Sequence, residues 1–276
     1  MADKEIPLEQ KITNWLDTQG YPLEMRVAQA FQSADARVIQ SEYYVDGTSG
    51  ETREIDVVAS WQDDIDDILV RVLLVIECKT SKDKPWILFV SDKARLAPPA
   101  RVAQRAVSGL GRVALRKLSQ EKTVQALSLF QLPKHPGYSL TQAFTSGNDV
   151  CYSAATSVAN AAAASASEPD SQKTRLRRLD ILEIIFPVVV TEARLFAASL
   201  DESLALSVRE EKSGVLLWRN PLLGRPHTII HVVTAAALPE FVASAKDSAE
   251  KLLTMCRGEF RAHIVEARDE RRAKDA

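Results

Sequence analysis

Cysteine is scarce in this sequence of 276 residues. Cys78, Cys151 and Cys256 are widely spaced and odd in number, which argues against a disulfide framework and against a zinc ribbon. Glycine (10) and proline (12) are too few for a collagen-like or low-complexity chain. No run of about 18 apolar residues offers a membrane-spanning helix. The first seven residues, Met1-Ala2-Asp3-Lys4-Glu5-Ile6-Pro7, lack a basic stretch followed by an apolar one. Neither sign of charge dominates: 35 Lys+Arg stand against 37 Asp+Glu, a net charge of -2. Contact with nucleic acid therefore needs local clustering of cations. A Gly-rich phosphate loop and a nucleophile elbow are also missing, which argues against nucleoside triphosphate hydrolysis. The expectation is a soluble protein of a reducing cytoplasm with no membrane partner.

What is present suffices for a sizeable core, with 46% hydrophobic and 26% charged residues. Residues 5–18 have loose helical spacing, and Gly20-Tyr21-Pro22 precedes a second helix from Leu23 to about Ala34. Three strand-like runs follow: Val38 to Asp46, Arg53 to Trp61 and Ile68 to Lys79. Pro98-Pro99 introduces a helix from about Ala100 to Leu118, interrupted or bent near Ser108-Gly109-Leu110-Gly111. Residues 149–167 suit a tightly packed Ala/Ser helix. Short strands are expected around 183–191, 194–200, 203–209, 214–219 and 228–234. A last amphipathic helix opens at Leu238-Pro239 and runs through Leu252, and the tail from Arg268 is expected to fray. The fold class is α/β in the broad sense, or α+β.

Two segments put charge where a strand calls for apolar side chains. Asp56 lies in Ile55-Asp56-Val57-Val58, and Val72-Leu73-Leu74-Val75-Ile76 leads straight into Glu77-Cys78-Lys79. A buried carboxylate costs several kcal/mol unless a cation or hydrogen bonds compensate it. The strand period sends Glu77 and Lys79 to the same side, about 7 Å apart. An antiparallel pairing of the two segments would bring Asp56 to Glu77. Those carboxylates and the backbone carbonyl of Cys78 make a hard, oxygen-lined site for Mg²⁺ or Mn²⁺, with Lys79 beside it to hold or deprotonate a water. Such a set suits phosphodiester hydrolysis.

These residues resemble the PD-(D/E)xK superfamily of restriction-endonuclease-like nucleases. Asp56 matches the motif Asp, Glu77 the second acid and Lys79 the Lys. Glu24 matches the acid that many members carry on the first core helix. Ile55 stands where the name-giving Pro would be, and the step from Asp56 to Glu77 is long. The resemblance implies an αβββαβ core, with Ile184 to Thr191 as its fourth strand. Residues 1–276 would then form a single elaborated domain, its core at about 20–118 and 181–256. A helical insertion at about 119–175 and extra C-terminal strands and helix complete it. It further implies a Mg²⁺-dependent nuclease acting on DNA or RNA, with Glu24, Asp56, Glu77 and Lys79 as catalytic residues, Glu24 assisting at the metal. The alternative is a catalytically silent module of the same fold that binds nucleic acid or a protein partner. A homodimer is compatible with both.

Residues 93–122 hold eight cations (Lys93, Arg95, Arg101, Arg105, Arg112, Arg116, Lys117 and Lys122) against Glu121 alone. Arg101, Arg105, Arg112 and Arg116 fall on one side of a continuous helix, as a stripe tracking a phosphate backbone or as a solvated face. Lys173, Arg175, Arg177 and Arg178 form a weaker cluster. Asp63, Asp64, Asp66 and Asp67 read as an exposed hairpin tip that opposes aggregation. His227 and His231 read as structural, and Trp86 as a core anchor.

Overall fold

The computed structural model describes residues 6–80, 83–91, 96–145, 149–170, 180–219 and 227–275. Lys93, Arg95, Lys173, Arg175, Arg177 and Arg178 lie outside the described residues. In chain order the elements begin with α1 (Leu8–Leu16), α2 (Tyr21–Gln32), β1 (Arg37–Val45), β2 (Thr52–Ile65), β3 (Ile68–Lys79) and β4 (Trp86–Val90). There follow α3 (Pro98–Ala103), β5 (Ala106–Val107), α4 (Gly109–Leu118), α5 (Lys122–Gln125), β6 (Gly137–Gln142) and α6 (Val150–Ser167). The rest are β7 (Asp180–Thr191), β8 (Leu195–Leu200), β9 (Leu206–Glu211), β10 (Ser213–Trp218), β11 (Thr228–Thr234), α7 (Leu238–Arg257) and α8 (Arg261–Asp275). The architecture is α+β, built on one mixed sheet of eleven strands.

The sheet runs β1-β2-β3-β7-β11-β10-β6-β4-β8-β9, and β5 pairs with β7 off that path. The first three strands are an antiparallel meander. β7 lies parallel to β3 in unbroken register, from Ile68 opposite Asp180 to Lys79 opposite Thr191. Both strands are covered on both faces, so they read as nearly continuous Val, Ile and Leu instead of alternating. One face packs under α2, α4, α7 and α8 around Phe31, Val57, Ile76 and Phe186. The other packs under α6, whose Ala154, Ala155, Val158 and Ala162 let the helix sit close to the strands. Trp86 is fully buried on that face.

The structure departs from the sequence-based expectation in three places. The helix after Pro98-Pro99, expected to be interrupted or bent near Ser108, is interrupted just before it by a strand: β5 splits α3 from α4. Ser108 caps α4 by accepting the Gly111 N–H, and its hydroxyl also donates to the Ile181 carbonyl. A side chain at Gly111 would come within 2.8 Å of the Glu183 carbonyl, so that helix end packs directly on β7. Second, the expected helical insertion at 119–175 contributes a strand to the sheet, since β6 lies between β10 and β4. Third, the tail does not fray as expected but forms most of α8. The residues just ahead of it, Phe260, Ile264 and Ala267, are buried in the larger core.

The acidic hairpin tip explains that tail. Asp66 and Asp67 both have positive φ (48° and 65°) and close β2 onto β3 with Ile65 opposite Ile68, the geometry of a two-residue type I′ turn. Arg261 bonds the Asp66 carboxylate at 2.6 Å, Arg268 donates to the Asp66 carbonyl at 2.9 Å, and Arg257 pairs with Asp63. Exposed ion pairs contribute little each, so α8 is held mainly by its apolar side. Ile264→Ala is therefore expected to lower the unfolding free energy by about 2–4 kcal/mol, against less than about 1 kcal/mol for Arg261→Ala. Urea titrations compare the two, and a larger loss from the arginine would reverse this ranking.

Candidate active site at the ends of strands β2 and β3

Counted one step beyond Val57 opposite Ile76, the antiparallel register sets Asp56 across from Glu77. At this point the Asp56 side chain takes over a hydrogen bond from the main chain: its Oδ2 accepts the Cys78 N–H at 2.6 Å. Glu77 is buried. Its Oε1 lies 2.5 Å from Lys79 Nζ, and its Oε2 accepts the Ser157 hydroxyl at 2.9 Å. β3 thus supplies an acid and an amine two residues apart, β2 a second acid, and α6 a hydroxyl that fixes the first acid.

Burial and the neighbouring Glu77 push Asp56 up to about 7, with the Cys78 N–H and Lys79 only partly offsetting them. Glu24, in the first turn of α2, is half-buried. Burial, Glu54 and Glu77 raise its pKa, while Lys79 lowers it. Burial pulls the Lys79 amine down, but Glu77 outweighs it and the pKa rises. Lys79 is therefore an ammonium at neutral pH, suited to donating a hydrogen bond and not to removing a proton. With all three acids ionised, Glu24, Asp56 and Glu77 against Lys79 leave two negative charges in one neighbourhood; the raised Asp56 reflects that crowding.

The donors Asp56 and Glu77 are oxygens of the type that Mg²⁺ prefers. Among the described residues, however, no three His, Cys, Asp or Glu side chains cluster closely enough to hold a metal ion. Glu24 feels the site's charges without joining Asp56 and Glu77 as a third ligand of the cluster. Asp56 and Glu77 could therefore serve a metal only as a pair, not as part of a three-acid cage.

The arginine stripe is not formed. Arg105 is only 2% exposed and donates to the carbonyls of Leu129 (2.6 Å) and Ile229 (3.4 Å), between the rings of Phe130 and Phe186. Arg101 turns back onto the Leu96 carbonyl, and Arg112 and Arg116 are exposed on α4. The physical reason is β5, which interrupts the helix and changes the facing of every residue beyond it. His231 is structural as expected: buried against Arg105, it is pushed down to about 3 by desolvation and by that cation. All three cysteines are free and buried.

Sequence reasoning missed the polar edge of α6. Ser153, Thr156, Ser157 and Asn160 recur at helical spacing in an otherwise Ala-rich segment, which was a readable signal. With Lys79 they line a cleft of about 640 Å³ closed on its other side by Asp46, Thr48, Ser49 and Arg53 of the β1–β2 turn. Asp46 accepts the Asn160 amide at 3.0 Å and pairs with Arg53 at 3.3 Å, joining turn and helix.

No family model, curated protein or solved structure matches the chain.

The Asp56 carboxyl carries a consequence for stability. Its folded pKa of about 7 lies above the ordinary 3.8, so the folded state holds the proton more tightly. The stability this contributes is complete below about pH 4 and is lost as pH rises through about 7. In metal-free buffer at pH 8, Asp56→Asn is expected to melt roughly 2–6 °C above the wild type. The gap should close toward pH 4. Calorimetry across that range checks it, and a variant that melts lower at pH 8 would refute the assigned electrostatics.

Proposed function

We propose that this chain is a divalent-cation-dependent nuclease that hydrolyses phosphodiester bonds in nucleic acid, in the manner of the PD-(D/E)xK proteins its motif residues resemble. The observation that carries this reading is the meeting of Asp56, Glu77 and Lys79 at the ends of β2 and β3, where Lys79 borders an open cleft. The order of elements supports it as well: helix α2, the meander β1–β3, helices α3 and α4, then β7 parallel to β3.

Asp56 and Glu77, with the Cys78 carbonyl, would hold Mg²⁺ or Mn²⁺, which when bound neutralises phosphate charge and makes a water more acidic. The chain's own residues do the rest. The Cys78 N–H fixes the Asp56 carboxylate, and Ser157 with Lys79 fixes that of Glu77, so neither has to reorganise when substrate arrives. The Lys79 ammonium donates to a phosphate oxygen or orients the attacking water. Glu24 adds negative potential that favours a cation over a second amine.

A catalytically silent module of the same build is the second reading, and the lack of a three-acid cluster among the described residues favours it. Labelled single-stranded and duplex oligonucleotides, incubated with Mg²⁺, Mn²⁺ or a chelator, separate the two. Cleavage is expected only with a cation, and Lys79→Ala, Asp56→Asn and Glu77→Gln should each lose on the order of 10²–10³-fold in rate. Circular dichroism should show each variant folded. Full activity in Lys79→Ala would reject the assignment, and an inactive wild type would leave the silent module.

A further inference from the structure

We infer that the cleft beside Lys79 is a binding site for an unpaired nucleotide, so that the strand handled here is single-stranded. This rests on the nuclease reading for its substrate class and deepens it. The cleft wall is the edge of α6, a neutral stripe of hydroxyl and amide groups at Ser153, Thr156, Ser157 and Asn160. Asn160 is 7% exposed, and its amide nitrogen faces Asp46, which can only accept, so its Oδ1 is the free acceptor. Neither that oxygen nor the Thr156 hydroxyl has a partner, although both are buried and both residues border the cleft. Among the buried side-chain atoms of the described residues that lack a hydrogen-bond partner, these two stand one helical turn apart on the cleft wall, where a side-chain rotation brings them to a ligand.

The remaining features fit a base and sugar. Tyr152, at the mouth, is 61% exposed with its ring set edge-on against Trp218 at 5.3 Å, which leaves a face free for stacking. A cleft of about 640 Å³ is of the size that takes small molecules, so a nucleotide enters it only when it is out of a duplex stack. It shares Thr48 and Asn160 with a larger neighbouring cleft bordered by the exposed Tyr43, a surface on which the next nucleotides can lie. Charge points the same way. Asp46 and Asp149 balance Arg53 and Lys79 in the cleft lining, so few phosphates can be neutralised there. Recognition then comes from stacking and hydrogen bonds more than from a phosphate track.

Binding measured in chelator keeps this inference separate from cleavage. The full chain is titrated into labelled 12-nucleotide single strands of DNA and of RNA, and into the matching duplex, with fluorescence anisotropy as the readout. One or both single strands should bind at least tenfold tighter than the duplex, and the tighter of the two identifies the sugar. Tyr152→Ala should weaken that binding about tenfold and Tyr152→Phe should restore it. Thr156→Val, which replaces an unpaired hydroxyl by an apolar group of the same shape, should leave the melting temperature unchanged or higher while weakening binding several-fold. With one or two phosphates engaged, log affinity against log salt should fall with a slope near about -1. Duplex bound as tightly as single strand, or variants at positions 152 and 156 that bind like the wild type, would overturn the inference even if cleavage were found. Discrimination by these residues without cleavage under any cation would sustain it and discard the nuclease reading.

Discussion

The hydrogen bond from the Cys78 N–H to the Asp56 carboxylate is where main-chain geometry and site chemistry become one thing. An antiparallel ladder would normally spend that N–H on a carbonyl, but here it is turned onto a side chain at the point where β2 and β3 part. It holds a carboxylate in surroundings that would otherwise expel it or protonate it, and it does so next to a second carboxylate. Glu77 stays buried because Lys79 and Ser157 each take one of its oxygens. If the end of β3 were displaced, Asp56 would lose its anchor, Glu77 would lose its place opposite, and Lys79 would leave the cleft.

β3 is kept in place by its neighbours. It is hydrogen-bonded along nearly its whole length to β2 on one side and to β7 on the other, and both its faces are covered. A strand with no free edge and no wet face has little room to slip, because a one-residue shift would turn every buried side chain over. The C-terminal helices add to this at the far end, where α7 and α8 hold the Asp63–Asp66 hairpin tip through arginines. The site therefore sits on rigid elements, with the cleft formed by a helix edge and a turn.

The site and the meander were legible because burying charge is costly, and a single Asp among Ile and Val, or a Glu closing five apolar residues, stands out from a strand pattern. The long strands β1, β3 and β7 fell close to their expected limits for the same reason, their period-2 or all-apolar runs being long, whereas β4, β5 and β6 were not expected as strands. The long-range order of the sheet was not legible. Nothing local says that Gly137–Gln142 inserts between β10 and β4, since pairing partners far apart in sequence leave no periodic trace. The arginine stripe misled because helical spacing was extended through Ala106-Val107, where pairing with Ile184 and Ile185 of β7 overrides the helix. The tail looked free to fray because its arginines find partners far away in the chain, Arg268 on the Asp66 carbonyl and Arg272 on Asp180, which no local window contains. Glu24 was placed on the right helix, but the spacing along a helix says nothing of how far its first turn stands from a strand end.

Other buried charged groupings show why the one at Asp56 is set apart; Asp46, for instance, is matched one to one by Arg53. Arg105 is a lone cation, pushed down to about 9 by desolvation, yet carbonyls and two aromatic faces surround it, and no cleft leads to it among those described. Its role ends with joining the backbones at Leu129 and Ile229 in the core. Arg71 and Glu183 balance each other one to one at 2.5 Å, and although burial pushes Glu183 up to about 7, the pair needs nothing further. Among the described residues, the grouping of Asp56, Glu77 and Lys79, with Glu24 nearby, carries an excess of carboxylates over cations and is bordered by open space. With those acids ionised, the excess negative charge destabilises the free protein, and a cation bound there, as proposed, would relieve it. The Lys79 ammonium, on the most constrained strand of the sheet, would then face the anion that such a cation brings in.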